Sequence, residues 1–189
     1  GAGVLALFVL ANIAALADVR LPNLISSKMV LQRDVPVTVW GWADEGERVT
    51  VTVAGQTHAT TAQGGKWAVT LDPMKAGGPE TMTISGRNTI TLKDILIGEV
   101  WVCSGQSNMQ WSLSQTEEPA KHIAAATNPK IRLYYVARVR SDSPLDETSG
   151  TWSLCTPETV PSFSAVGYFF GRELQKAIKV PVGLIHSSW

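Results

Sequence analysis

From Val35 to Ile97 the chain alternates apolar with polar positions. The stretches "VTVWGW", "RVTVTVAG", "KWAVTL", "TMTISG" and "TITLKDILIG" place hydrophobic side chains at every second residue, with threonine or a charged residue between them. A period of two sends successive side chains to opposite faces of a strand, so each stretch predicts a strand with one buried face. Turn formers separate them: Ala54-Gly55, Gly64-Gly65, Gly77-Gly78-Pro79 and Gly86-Arg87-Asn88. Short strands at this spacing predict an antiparallel β-sandwich over residues 18–97.

The pattern changes at Gly98. "EVWVCSG" is a continuous apolar run, as expected of a strand buried on both faces of a parallel sheet. "EEPAKHIAAATNP" carries acids and Pro119 in its first turn and Asn128-Pro129 as a stop, which predicts a short helix. "KIRLYYVARV" is the next strand. "SAVGYFFGRELQKAI" predicts a helix capped by Ser164, with Val166, Phe170, Leu174 and Ile178 along one apolar stripe. "VPVGLIHSSW" completes the series as a third strand. Strand and helix in alternation predict the crossovers of an α/β sheet. Residues 98–189 therefore read as the first half of an α/β domain, and the whole as a two-part α+β chain.

Residues 1–17 stand apart. "AGVLALFVLANIAALA" is almost wholly apolar and ends in Ala15-Leu16-Ala17 before Asp18. A short apolar core ahead of an A-x-A site predicts a secretory signal peptide cleaved after Ala17, with its basic n-region missing, and hence a secreted or periplasmic protein. No run in the body of the chain is long enough to span a bilayer.

Composition narrows the partners. Sixteen basic residues balance sixteen acidic ones within 189 residues, and no basic run occurs, which argues against nucleic acid or an anionic membrane surface. The two cysteines, Cys103 one residue before a turn and Cys155 expected in a loop ahead of the long helix, match no metal-ligand spacing. In an exported protein they could pair, whereas Cys103 could equally be buried as a small hydrophobe, and spacing leaves both readings open. No Cys/His cluster calls for a metal, and no cofactor is expected.

Candidate chemistry centres on "GEVWVCSGQSNMQW", Gly98 to Trp111. Here an apolar strand stops at five small or polar residues, Ser104-Gly105-Gln106-Ser107-Asn108. Reactive groups in open α/β sheets gather outside the carboxyl ends of strands, and Ser107 sits there. Gly105 would allow a sharp turn, and free N–H groups at a helix start near Asn108 could face a developing oxyanion. The stretch is not a G-x-S-x-G elbow, because Met109 takes the place of the last glycine. On local sequence alone a plain strand-ending turn capped by Ser and Asn is favoured, since so short a match is a weak signal.

The wider string shifts that balance. "GEVWVCSGQSNMQW" strongly resembles the first block of the SGNH/GDSL hydrolase superfamily in its sialate O-acetylesterase branch. "LPNLISSKMVLQRDVPVTVWGWADEGERVTV", "FSAVGYFFGRELQK" and "VPVGLIHSSW" agree with the same branch, so the resemblance covers nearly everything after Ala17. It implies a β-sandwich-like domain ahead of a flavodoxin-like esterase domain, and a serine esterase that removes O-acetyl groups from sialic acid or a related sugar. Ser107 matches the nucleophile, with its own N–H as one oxyanion donor. Gly105, Gln106 and Asn108 match positions that shape the turn. The second-block glycine expected shortly after "SSW", the third-block Asn and the Asp-x-x-His lie beyond Trp189. Residues 18–189 alone are therefore expected to be inactive.

Other readings compete. An acetylxylan esterase would use similar chemistry on a plant polysaccharide. A non-catalytic carbohydrate-binding module would use Trp40, Trp42 and Trp67 as a stacking platform, and its tryptophans would have to be exposed. Of the three histidines, His58 is expected to face solvent, His122 to be exposed on an Ala-rich helix, and His186 to be structural.

Overall fold

The computed structural model describes residues 18–189; the expected signal peptide of residues 1–17 lies outside the described residues. The described chain is a β-rich α+β structure organised around one long strand. Strands β1 (Val30–Gln32), β2 (Val37–Trp42), β3 (Arg48–Val53), β4 (Gln56–Thr61), β5 (Lys66–Leu71) and β6 (Gly77–Ser85) precede β7 (Thr89–Gly105), a strand of 17 residues. Helix α1 (Pro119–Ala124), β8 (Asn128–Tyr135), β9 (Trp152–Cys155), α2 (Ala165–Ile178) and β10 (Val182–Ser188) follow.

An eight-stranded sheet runs β4-β3-β6-β7-β10-β8-β9, with β1 also on β7. The N-terminal half of β7 pairs antiparallel with β6, from Thr89↔Ser85 to Ile97↔Gly77. Its C-terminal half pairs parallel with β10, from Glu99↔Val182 to Gly105↔Ser188. Gly98, where the hydrophobic period changes, thus lies inside a continuous strand. The change marks an exchange of neighbours rather than a break.

The antiparallel half packs as alternation predicts. Val49, Val51 and Val53 of β3 and Met82 and Ile84 of β6 point inward and are buried. A two-stranded ribbon of β2 and β5 contributes Val39, Trp67, Val69 and Leu71 to the same core.

In the parallel half, α2 lies on one face of β7, β10 and β8 and fills a second core with Cys103, Ile131, Leu133 and Leu184. Ser164 caps the helix, its side chain accepting from the Gly167 N–H at 3.1 Å. The expected stripe on α2 is corrected in part: Leu174 packs against the core, but Val166 and Phe170 are exposed, and the face toward the sheet carries Ala165, Gly167, Tyr168 and Gly171. The reason is proximity. A Cβ at Gly167 would stand 3.0 Å from the Cys103 sulfur, and one at Gly171 2.6 Å from Leu184. Gly167 and Gly171 set the distance, and Val166 and Phe170 point away. Phe170 instead meets Trp101 edge-on, 5.1 Å between centroids.

Two further expectations change. The "EVWVCSG" run is not buried on both faces, since Val102 is 65% exposed and Trp101 44%. Beyond Gly98 one edge of β7 carries no strand among the described residues, although the Gln32 side chain takes the Val100 N–H at 2.8 Å. Cys155, expected in a loop, lies in β9, which pairs antiparallel with β8.

Three contacts lock the halves together. Gly98 faces the Pro181 carbonyl so closely that a Cβ there would lie 2.0 Å from the oxygen, and the Glu99 N–H donates to that oxygen at 2.9 Å. The Trp152 indole N–H donates to the Leu24 carbonyl at 2.8 Å. Arg132 of β8, 3% exposed, donates through both terminal nitrogens to Asp94 of β7, each at 2.9 Å. Removing one member of such a pair strands a buried charge. Asp94→Asn keeps a residue that tolerates its φ of 59° and is expected to lower the unfolding free energy by about 3 kcal/mol. Adding Arg132→Met should recover at least half of that loss in urea titrations. A single-variant loss under ~0.5 kcal/mol would class the pair with exposed ones.

Candidate functional site

The sheet delivers Ser107 just past the carboxyl end of β7. Gly105 closes the strand at φ 135°, a conformation open mainly to glycine, and its carbonyl accepts from the Trp189 N–H at 2.9 Å. Gln106 is extended, and Ser107 then takes the left-handed region at φ 48°. A non-glycine residue there carries strain of order 1–3 kcal/mol that surrounding contacts must hold.

A short 3₁₀ turn, Ser107–Met109, supplies them, and it is what stands where a helix start was expected. The Met109 N–H donates to the Gln106 carbonyl at 3.1 Å, and the Gln110 N–H to the Ser107 carbonyl at 3.0 Å. Met109 packs into the α/β core, where its sulfur accepts from the Ser164 hydroxyl at 3.4 Å. That explains why a methionine occupies the place of an elbow's last glycine: its side chain pins the turn to the cap of α2. The following segment is held too, with the Ala165 N–H donating to the Trp111 carbonyl at 2.8 Å and the Leu113 N–H to the Phe163 carbonyl at 3.0 Å.

Ser107, Gln106 and Asn108 are all exposed. Among the described residues the Ser107 hydroxyl has no hydrogen-bond partner, and neither the Ser107 nor the Asn108 N–H donates to any acceptor. The turn thus presents one hydroxyl and two unspent amide donors outward. Beside it lies an open cavity of about 440 Å³, lined by Ser104, Gly105, Gln106, Arg138, Ser188 and Trp189 among others. Sequence reasoning did not single out Arg138. It follows β8 across the strand ends, and only the pairing of β8 with β10, and of β10 with β7, brings it to this turn.

His186 is 2% exposed, lies opposite both Cys103 and Tyr135 in the sheet, and packs edge-on against Phe163 and Tyr135. Its Nε2 pairs with the Ser188 hydroxyl at 2.5 Å, while its Nδ1 lacks a partner. Burial first, then the Arg138 charge, holds the imidazole below its ordinary range. It serves the core, as expected. His122 is half-buried against Phe169, at 5.0 Å between rings, rather than exposed as expected. His58, expected to face solvent, is also half-buried, with Nε2 2.9 Å from the Gln56 amide oxygen. None of the three bonds to Ser107.

Both cysteines are free and buried, Cys155 donating to the Ala126 carbonyl at 3.2 Å. Burial pushes the Cys103 thiol up to about 11 and the Cys155 thiol to about 12. Neither is a nucleophile near neutral pH. Trp40 and Trp42 meet edge-on at 5.5 Å and are half-buried, but Trp67 is 3% exposed and donates to the Trp42 carbonyl at 3.3 Å. The three do not form a stacking platform. Among the described residues no group of three or more His, Cys, Asp or Glu could hold a metal, and no helix is long and apolar enough to cross a membrane.

Two outcomes are expected. Unfolded His186 takes up a proton near pH ~6.5, but the folded state resists protonation, so its contribution is intact above that pH and is lost as pH falls through it. Denaturant melts from pH 7.5 to 5.5 should show stability declining more steeply in the wild type than in His186→Gln; equal slopes would contradict the assignment. Maleimide at pH 7 should leave both native thiols unmodified and label both in urea without reductant. Labelling that needs reductant in urea would show a disulfide.

No family model matches the chain. It is 35% identical over 207 residues to the sialate O-acetylesterase of Mus musculus, covering 97% of this chain and 38% of that protein. It is 34% identical over 208 residues to the sialate O-acetylesterase of Homo sapiens, with 98% and 40% covered. In structure it is similar to a carbohydrate acetylesterase from Xanthomonas citri, with a TM-score of 0.88, 35% identity, and coverage of 91% of this chain and 40% of that one. The chain spans about two fifths of the length of the curated relatives it matches.

Proposed function

The chain belongs to the sialate O-acetylesterase family of SGNH/GDSL hydrolases, of which it represents the N-terminal portion, and from that premise we propose that it carries the nucleophile of an exported serine esterase acting on O-acetylated sialic acid or a related sugar. The architecture implied by the family, an antiparallel β-sandwich leading into a flavodoxin-like esterase domain, belongs to the same reading.

One observation carries it: Ser107 stands exposed at a strand terminus in a left-handed conformation, its hydroxyl and N–H both unspent. Ser107 Oγ attacks the acetyl carbonyl carbon and its proton passes to a histidine base. The negative charge that forms on the carbonyl oxygen is met by the Ser107 N–H and further donors. Collapse breaks the ester bond, the proton goes to the departing sugar hydroxyl, and water then releases acetate from the acyl-enzyme by the same steps in reverse order. The roles of Gly105, Gln106 and Asn108 follow from the turn: the first two bring the backbone round, and the third places its amide beside that of Ser107. His186 is committed to the core and is not the base; that group is supplied by chain beyond these residues.

Neutral acetylated polysaccharide remains a second substrate class for the same chemistry. The binding-module reading loses support, because Trp67 is interior.

In the full-length protein a fluorophosphonate should label Ser107, and Ser107→Ala should lower kcat by about 10³-fold or more, since loss of a triad nucleophile leaves only binding and oxyanion stabilisation. Peptide mapping that finds the label on Ser104, or activity that survives in Ser107→Ala, would overturn the assignment.

A further inference from the structure

We propose that Arg138 is the residue by which this site recognises a carboxylate on its substrate, so that an acetylated sugar acid is preferred over a neutral acetylated sugar. The inference rests on the esterase reading above and deepens it.

The argument begins with an arginine that the fold leaves unneutralised. Arg138 is exposed on the wall of the cavity beside the Ser107 turn, and it has no acidic partner among the described residues. Arg132, on the strand that leads to it, is by contrast held by Asp94. Arg138 instead meets a neutral group. In the amide orientation that satisfies both of its polar atoms, the Gln110 oxygen accepts from Arg138 Nη1 at 3.2 Å and Nη2 at 3.3 Å.

That contact fixes direction. Gln110 ends the turn that Ser107 begins, and its own N–H donates to the Ser107 carbonyl. The guanidinium is therefore tied to the nucleophile's turn while its charge stays uncompensated. Its field also reaches the strand ends, where it helps to keep His186 neutral. A second guanidinium, Arg140, lies 5.6 Å over the ring of Trp189, a residue that lines the cavity, and also has no acidic partner among the described residues.

A chain of zero formal net charge has thus placed an unpaired guanidinium, that of Arg138, on the cavity beside its serine turn. A planar fork with several donors suits a carboxylate held through two parallel bonds. Elsewhere on the wall, Ser104, Gln106 and Ser187 offer neutral hydroxyl and amide groups suited to sugar hydroxyls. Neutral acetylated sugars would leave the arginine without its partner, whereas a sugar acid would satisfy it.

The test uses the full-length protein with three substrates: O-acetylated sialic acid, the same compound with its carboxylate methyl-esterified, and a neutral O-acetylated xylose. The free acid should be preferred over its methyl ester in kcat/KM by about ten- to hundred-fold, the range expected of a charged hydrogen bond. Arg138→Gln should collapse that ratio toward one, mainly by raising KM for the free acid, and Arg138→Lys should retain part of it. Added salt should erode the preference in the wild type. A ratio that survives Arg138→Gln would show that the carboxylate is read elsewhere. Equal loss on all three substrates would show a structural role. Either result overturns this inference and leaves the esterase reading standing, whereas absence of Ser107-dependent hydrolysis of every substrate would overturn both.

Discussion

The structure depends on a single strand that joins the antiparallel and parallel halves of one sheet. Residues 89–97 of β7 are hydrogen-bonded antiparallel to β6, and residues 99–105 run parallel to β10. The strand is 17 residues long and continuous, so neither half can shift without moving the other. Gly98 stands at the exchange of neighbours, where only a residue without a Cβ can lie against the Pro181 carbonyl. The Arg132–Asp94 pair and the Trp152–Leu24 hydrogen bond brace the same junction.

Function follows from where that strand ends. Register with β10 places Gly105 opposite Ser188, and the chain must then leave the sheet. It does so through a glycine at φ 135° and a serine at φ 48°. Met109 and Ser164 hold the turn from below, so the strain at Ser107 rests on buried packing rather than on a mobile loop. An exposed hydroxyl on a rigid platform is what covalent catalysis requires, since misplacement by an ångström can be costly.

The parallel half is asymmetric. On one face α2 approaches closely through Ala165, Gly167 and Gly171. Elsewhere Trp101, Val102, Val166 and Phe170 remain accessible, and β7 beyond Gly98 has a free edge among the described residues. Electrostatics are asymmetric too. Balanced overall charge conceals an unpaired arginine, Arg138, on the wall of the site.

Period and punctuation in the sequence determined the strands of the antiparallel half, the order of strand and helix after Gly98 except for β9, and the Ser164 cap, because these depend on neighbours a few residues away. The position of Ser107 past a strand end was legible for the same reason, and the resemblance of "GEVWVCSGQSNMQW" gave it a role. Apolar character alone misassigned the α2 stripe, since periodicity cannot tell a small face that sets a close approach from a large face that turns outward. It also misjudged the "EVWVCSG" strand, because burial depends on what lies alongside, which local pattern does not record. Tertiary structure alone decided the continuity of β7, the free state of both thiols and the place of Arg138. Each depends on which strands become neighbours across tens of residues, and that pairing is fixed by packing of the whole sheet rather than by any local stretch of chain.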